Sequence, residues 1–100
     1  MKWSDGEIDG VTVKPLKKFN DARGWLMEVF RSDEIPGSLM PAMGYVSMTL
    51  PGVTRGPHEH VDQTDTFAFV GPGNLQLTLW DKRASSPTRG RKFAMPLYWL

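Results

Sequence analysis

The sequence contains no cysteine, which removes disulfides, thiolate metal sites and cysteine nucleophiles together. Neither charge is in excess, since 12 lysines and arginines stand against 11 acidic residues for a net charge of +1. That balance offers no electrostatic argument for nucleic acid or an anionic membrane, so an anionic ligand has to be held by a few local cations. The opening MKWSDGEIDG turns acidic and glycine-rich at once, without the apolar stretch of a signal peptide or spanning helix. The expectation is a soluble, cytoplasmic protein. Long uninterrupted runs are missing too, because 10 glycines and 8 prolines are scattered along 100 residues. Such punctuation argues against long helices and against a disordered linker, and the length suits one domain over residues 1–100.

Between the punctuation lie short runs of β-branched, aromatic and other apolar residues. Five are expected to be strands: Ile8 to Val13, Trp25 to Phe30, Tyr45 to Leu50, Thr66 to Val70 and Leu75 to Trp80. Alternation is clearest in the last, where Leu75, Leu77 and Leu79 fall on one face and Gln76, Thr78 and Trp80 on the other. The Gly71-Pro72-Gly73-Asn74 segment reads as a turn, so a hairpin joining Thr66–Val70 to Leu75–Trp80 is expected. Ser32 to Ile35 offers at most one helical turn before Pro36 and Gly37. Residues 84–100 form an atypical ending, because Leu97, Tyr98, Trp99 and Leu100 make an apolar group that something should cover. The expected class is all-β.

The informative stretch is residues 51–73, PGVTRGPHEHVDQTDTFAFVGPG, which holds the sequence's only two histidines two positions apart. In extended backbone His58 and His60 share a face and Glu59 takes the other. Gln63 and Asp65 add oxygen atoms downstream, and Arg55 adds a cation whose five donors suit a phosphate. Glycines at 52, 56, 71 and 73 allow sharp turns around these groups. A metal held by His58, His60 and Asp65 is one reading, since two imidazoles and an oxygen suit zinc, iron or manganese. Two polar strand residues bonded to their neighbours is the plainer one.

The run from Gly52 through His58, His60 and Asp65 to Gly71 resembles the first motif of the cupins. More specifically, RGPHEH resembles the RGLHxQ signature of the dTDP-4-dehydrorhamnose 3,5-epimerases, and DARGWLMEVF at 21–30 resembles their D-x-RG-x-F-x-E-x-F segment. IDGVTVKPLKKFNDARG and LTLWDKR read like the same family, which extends the similarity over residues 8 to 83. The resemblance implies an incomplete cupin-type jelly roll or β-sandwich completed by homodimerisation, and no cofactor. It also implies a dTDP-linked 4-keto-6-deoxy sugar as substrate, with His58 as the catalytic base. Arg23, Glu28, Arg55 and His60 would be the substrate-binding residues. Carbons beside a ketone are acidified by the enolate that forms, and a histidine can accept their proton near neutral pH. The family follows its histidine motif with a lysine that stabilises the enolate oxygen, whereas this sequence has no lysine between Lys18 and Lys82. A noncatalytic binding or assembly module is therefore the alternative from another class.

Overall fold

The structure, a computed structural model, describes residues 1–98. It is all-β, with five strands among the described residues: β1 (Ser4–Asp5), β2 (Lys18–Asp21), β3 (Gly24–Met27), β4 (Asn74–Trp80) and β5 (Arg91–Tyr98). A single 3-10 turn spans Gly37–Leu39. The strands form two small sheets, one ordered β1-β5-β4 and one pairing β2 with β3, as an incomplete cupin-like sandwich would have. Two compact units emerge: one holds every strand and comprises Met1–Met27 with the described residues from Phe69 onward, and the other is Glu28–Ala68.

β4 is where the alternating leucines predict it, but its partner differs from the expected one. It pairs antiparallel with β5, placing Leu75, Leu77 and Leu79 opposite Leu97, Met95 and Phe93. Thr66–Val70 joins no sheet. The pairing has a physical reason in β5 itself, where Phe93, Met95 and Leu97 are half-buried while Ala94, Pro96 and Tyr98 are exposed. That period of two gives β5 an apolar row matching the row on β4, whereas a partner at 66–70 would offer only Phe67 and Phe69 on the corresponding face. Pro96 is tolerated because β1 reaches only Arg91 and Lys92, leaving β5 an edge at that point. Leu97 and Tyr98 of the apolar ending thus lie in a paired strand, and Trp99 and Leu100 fall outside the described residues.

The β2–β3 hairpin was not expected as a pair. Its register sets Asp21 opposite Gly24 across the two-residue loop Ala22-Arg23. Asp21 shapes the turn, its Oδ1 accepting from the Arg23 backbone N–H at 2.7 Å. Gly24 has φ +139°, which a side chain would strain, and no heavy atom stands where its Cβ would be. The Lys18 ammonium of β2 lies 5.3 Å from the Trp25 ring of β3, and the ammonium of Lys17, just before β2, lies 4.7 Å from the Phe19 ring. Ile8–Val13 does not form a strand either. The Asp9-Gly10 pair bends the chain there, and the Val11 N–H donates to the Ile8 carbonyl at 3.3 Å.

Hydrophobic burial is slight throughout. No apolar residue is buried among the described residues, and the buried residue is Asp81, 3% exposed at the end of β4. Its carboxylate is fully partnered. Arg83 donates from Nε to Oδ1 and from Nη2 to Oδ2, both at 2.9 Å. The Ser86 and Thr88 hydroxyls donate to Oδ2 at 2.6 and 2.7 Å. The arginine and the carboxylate oxygens form the strong, charge-assisted kind of hydrogen bond. The cluster also ties in the N-terminal segment, since Arg83 Nη2 donates to the Asp9 carbonyl and the Asp9 N–H donates to Thr88 Oγ1. Hydrogen bonding to Arg83 foremost, against opposing desolvation and with help from Ser86 and Thr88, holds the Asp81 carboxyl well below the usual carboxylate range.

In the Glu28–Ala68 unit the backbone makes isolated turns. Ser32–Glu34 forms the single helical turn, with the Ile35 N–H donating to the Arg31 carbonyl at 3.1 Å. Pro36 precedes the 3-10 turn rather than ending all helical structure. Tyr45–Leu50 is not a strand, and Val46 there is 100% exposed. Pro51 and Gly52 turn the chain after it, the Val53 N–H donating to the Leu50 carbonyl.

Candidate active site

Five of the candidate residues, Glu28, Arg55, His58, His60 and Asp65, belong to the Glu28–Ala68 unit, and Arg23 belongs to the hairpin turn of the other. His58 follows a bend at Gly56, which has φ +105°. An added Cβ at Gly56 would lie 3.2 Å from His58 Cδ2 and 3.3 Å from the His58 backbone nitrogen. The imidazole therefore leans back over Gly56, in space that only a glycine leaves open. No hydrogen bond or ion pair engages the His58 ring among the described residues.

His60 is placed differently. Its Nε2 lies 3.2 Å from Asp65 Oδ2, with the histidine side chain 41% and the aspartate side chain 33% exposed. The other oxygen of Asp65 accepts from the Gln63 amide at 2.7 Å. The two imidazoles thus have different neighbours, Gly56 for His58 and Asp65 for His60. No group of three or more histidine, aspartate or glutamate side chains gathers around a common point among the described residues.

The cations are anchored by local partners. Arg55 donates from Nε to Thr49 Oγ1 at 2.8 Å and from Nη2 to the Met48 carbonyl at 2.6 Å, which fixes the fork and leaves Nη1 for a ligand. Arg23 donates from Nη2 to Asp21 Oδ2 at 2.9 Å while its side chain stays 91% exposed. Hydrogen bonding from the Arg23 side chain and then its backbone lowers the Asp21 carboxyl. Glu28 Oε1 lies 3.4 Å from Arg31 Nη1. Arg31 in turn makes paired bonds to Asp33, at 3.0 Å from Nε and 2.9 Å from Nη2. The Asp33 bond, followed by the charge of Glu28, raises the Arg31 guanidinium, and the same bond lowers Asp33. Sequence reasoning passed over both arginine-centred clusters, the Asp81–Arg83 one above all. The signal was present as the spacing of Asp81, Arg83, Ser86 and Thr88 directly after a strand, a run of short polar groups able to bond one carboxylate.

The histidine-bearing segment RGPHEH and the Arg23-bearing segment DARGWLMEVF are the two that resemble the sugar-nucleotide epimerases, and comparison with known proteins decides the point. The model of the dTDP-4-dehydrorhamnose 3,5-epimerase family matches residues 5–98. The chain belongs to that family. The match runs past residue 83, where the resemblance of the sequence ended, through the whole of β5. Curated relatives agree. The probable low-salt glycan biosynthesis epimerase of Haloferax volcanii is 43% identical over 84 residues, covering 83% of this chain and 53% of that protein. The spore coat polysaccharide biosynthesis protein SpsL of Bacillus subtilis is 40% identical over 85 residues, covering 83% of this chain and 54% of that protein. This member of the epimerase family thus spans about half the length of the curated relatives it matches. No solved structure matches it significantly. No helix among the described residues is long and apolar enough to cross a membrane.

Proposed function

We propose that the chain serves as a cytoplasmic sugar-nucleotide epimerase that removes protons beside the 4-keto group of a dTDP-linked 4-keto-6-deoxy sugar, in the formation of dTDP-rhamnose for surface polysaccharide. The observation that carries this reading is His58 within RGPHEH, its ring leaning over Gly56 and unengaged among the described residues. Such an imidazole has a nitrogen lone pair at its disposal, which a general base requires. In the reaction His58 takes the proton from a carbon flanking the ketone, the C–H electron pair moves into the carbonyl, and an enolate forms. Arg55, fixed by Thr49 and Met48, holds a diphosphate oxygen through a charge-assisted bond. Arg23 supplies a second cation, and Glu28 and His60 accept from or donate to the sugar and ribose hydroxyls. The absence of buried apolar residues among the described residues favours a homodimer that covers the apolar row of β4 and β5. No cofactor takes part.

Incubation of the purified chain with dTDP-4-keto-6-deoxyglucose in deuterated water tests the reading. Deuterium enters at C3 or C5 with the wild type and fails to enter with His58→Ala. No exchange by a folded wild-type sample overturns it. One observation favours a second reading: the stretch after the histidines carries Asp65 to Ala68 and no lysine, so a developing enolate meets no cation from that segment. A noncatalytic module on this scaffold binds the nucleotide and exchanges no proton.

A further inference from the structure

β4 is unlike the other strands in carrying nothing that keeps a second strand away. It stands at the edge of the three-stranded sheet, paired with β5 on one side and with no described strand on the other. An edge strand presents a row of unpaired N–H and C=O groups along its open side, a template for another chain. Edges are ordinarily blunted by charge, by proline or by short length, and the other strands have these devices. β5 carries Arg91, Lys92 and Pro96 and is partly covered by β1, which is two residues long. β2 and β3 are four residues each. β4, NLQLTLW, runs for seven residues without charge, proline or glycine, and none of its residues is buried.

We propose that the open edge of β4 is an interface with a second copy of this chain, the two β4 strands pairing antiparallel about a two-fold axis at Leu77. The strand is self-complementary in that register. Leu77 meets the partner's Leu77, Leu75 meets the partner's Leu79, and Gln76 meets the partner's Thr78. Every leucine then lies beside a leucine on the face that already carries Phe93, Met95 and Leu97, and the polar side chains meet on the other face. A slip of one residue would set leucines against Gln76 and Thr78 and turn the partner's apolar face over. Electrostatics agrees, because a strand without charge brings no like charges together when it meets its own copy. The contact is isologous and uses both open edges at once, so the assembly closes at two. Lys92 and Pro96 on β5 guard the sheet against growth from its other side. The inference extends the homodimer proposed above by fixing its surface and register, and it does not depend on the proton chemistry.

Sedimentation equilibrium of the full chain should give twice the 11.3 kDa chain mass. Gln76→Lys combined with Thr78→Lys sets cations opposite each other in two pairs and should weaken the dimer about tenfold. Gln76→Lys combined with Thr78→Glu sets opposite charges there and should restore it. Within the chain these positions face Pro96 and Ala94 of β5, and unchanged far-ultraviolet circular dichroism shows that the sheet persists. A comparison of thiols is independent of those charges, since the chain has no cysteine of its own. Leu77→Cys should oxidise to a disulfide-linked dimer, because directly opposed Cα atoms stand about 5 Å apart. Asn74→Cys should not, because the two copies of that position lie about 20 Å apart along the ladder. A dimer that ignores the paired lysines, or that links through Asn74→Cys as fast as through Leu77→Cys, overturns this interface while leaving a homodimer on another surface. A monomer at every concentration overturns the interface and the homodimer together. Deuterium entry into the 4-keto sugar tests the epimerase reading separately from either result.

Discussion

The strand-bearing unit and the Glu28–Ala68 unit divide the labour of this chain. In the first, β4 pairs along its whole length with Lys92 to Tyr98 of β5, and a buried carboxylate gathers a loop, a strand end and the N-terminal segment. In the second, the backbone makes turns without ladders, yet it carries both histidines, Arg55 and Asp65. Order in the first comes from repeated backbone pairing and one polar cluster. In the second, the contacts described above are single side-chain contacts between near neighbours in sequence. The lesson is that the candidate site residues sit where backbone pairing constrains them least, so short-range contacts such as His60 with Asp65 are what position them.

The largest expected effect breaks the ordered side of this comparison. Asp81→Ala leaves Ser86 and Thr88 without their acceptor and should cost about 2–3 kcal/mol, moderated because Arg83 can turn to water. A lowered urea midpoint measures it. Acid sharpens the same point. The Asp81 carboxyl is held below its ordinary value when folded and returns to that value when unfolded, so its contribution is complete above the ordinary value and declines as pH falls below about 4. Wild type should lose stability over that range, and Asp81→Asn should lose less, in urea titrations at successive pH values.

On the other side, Gly56→Ala keeps the sheets but strains φ +105° and crowds the His58 ring. Deuterium entry into the 4-keto sugar should fall about tenfold, or about 1.4 kcal/mol in the barrier, with the unfolding midpoint little changed. The smallest effect belongs to Arg31→Gln. Its contacts to Glu28, Asp33 and Glu34 are exposed ion pairs, so the midpoint should stay within experimental error in moderate salt.

The local surroundings of the candidate site were partly legible because its residues are near neighbours. The run from Arg55 to Asp65 contains every partner of its own histidines that the structure shows, and the bend at Gly56 follows from a residue type that has no Cβ. The backbone around the two rings was not legible. A strand was expected to put His58 and His60 on one face, but the segment lies outside any ladder, and the partner of His60 is Asp65. The strand at 75–80 declared itself through its leucines, whereas β5 was hidden as an odd apolar ending whose period of two passed unnoticed.

By itself, the sequence determined the all-β class, the family and the identity of the histidine-bearing segment, because alternation, turn residues and short motifs are local properties. Only the tertiary structure decided that β4 pairs with β5 across the Asp81 loop, that Asp81 is the buried group, and that Asp65 takes His60. Those outcomes depend on which of several compatible partners comes within reach, and contact between distant residues is set by the path of the backbone rather than by any residue's own preference.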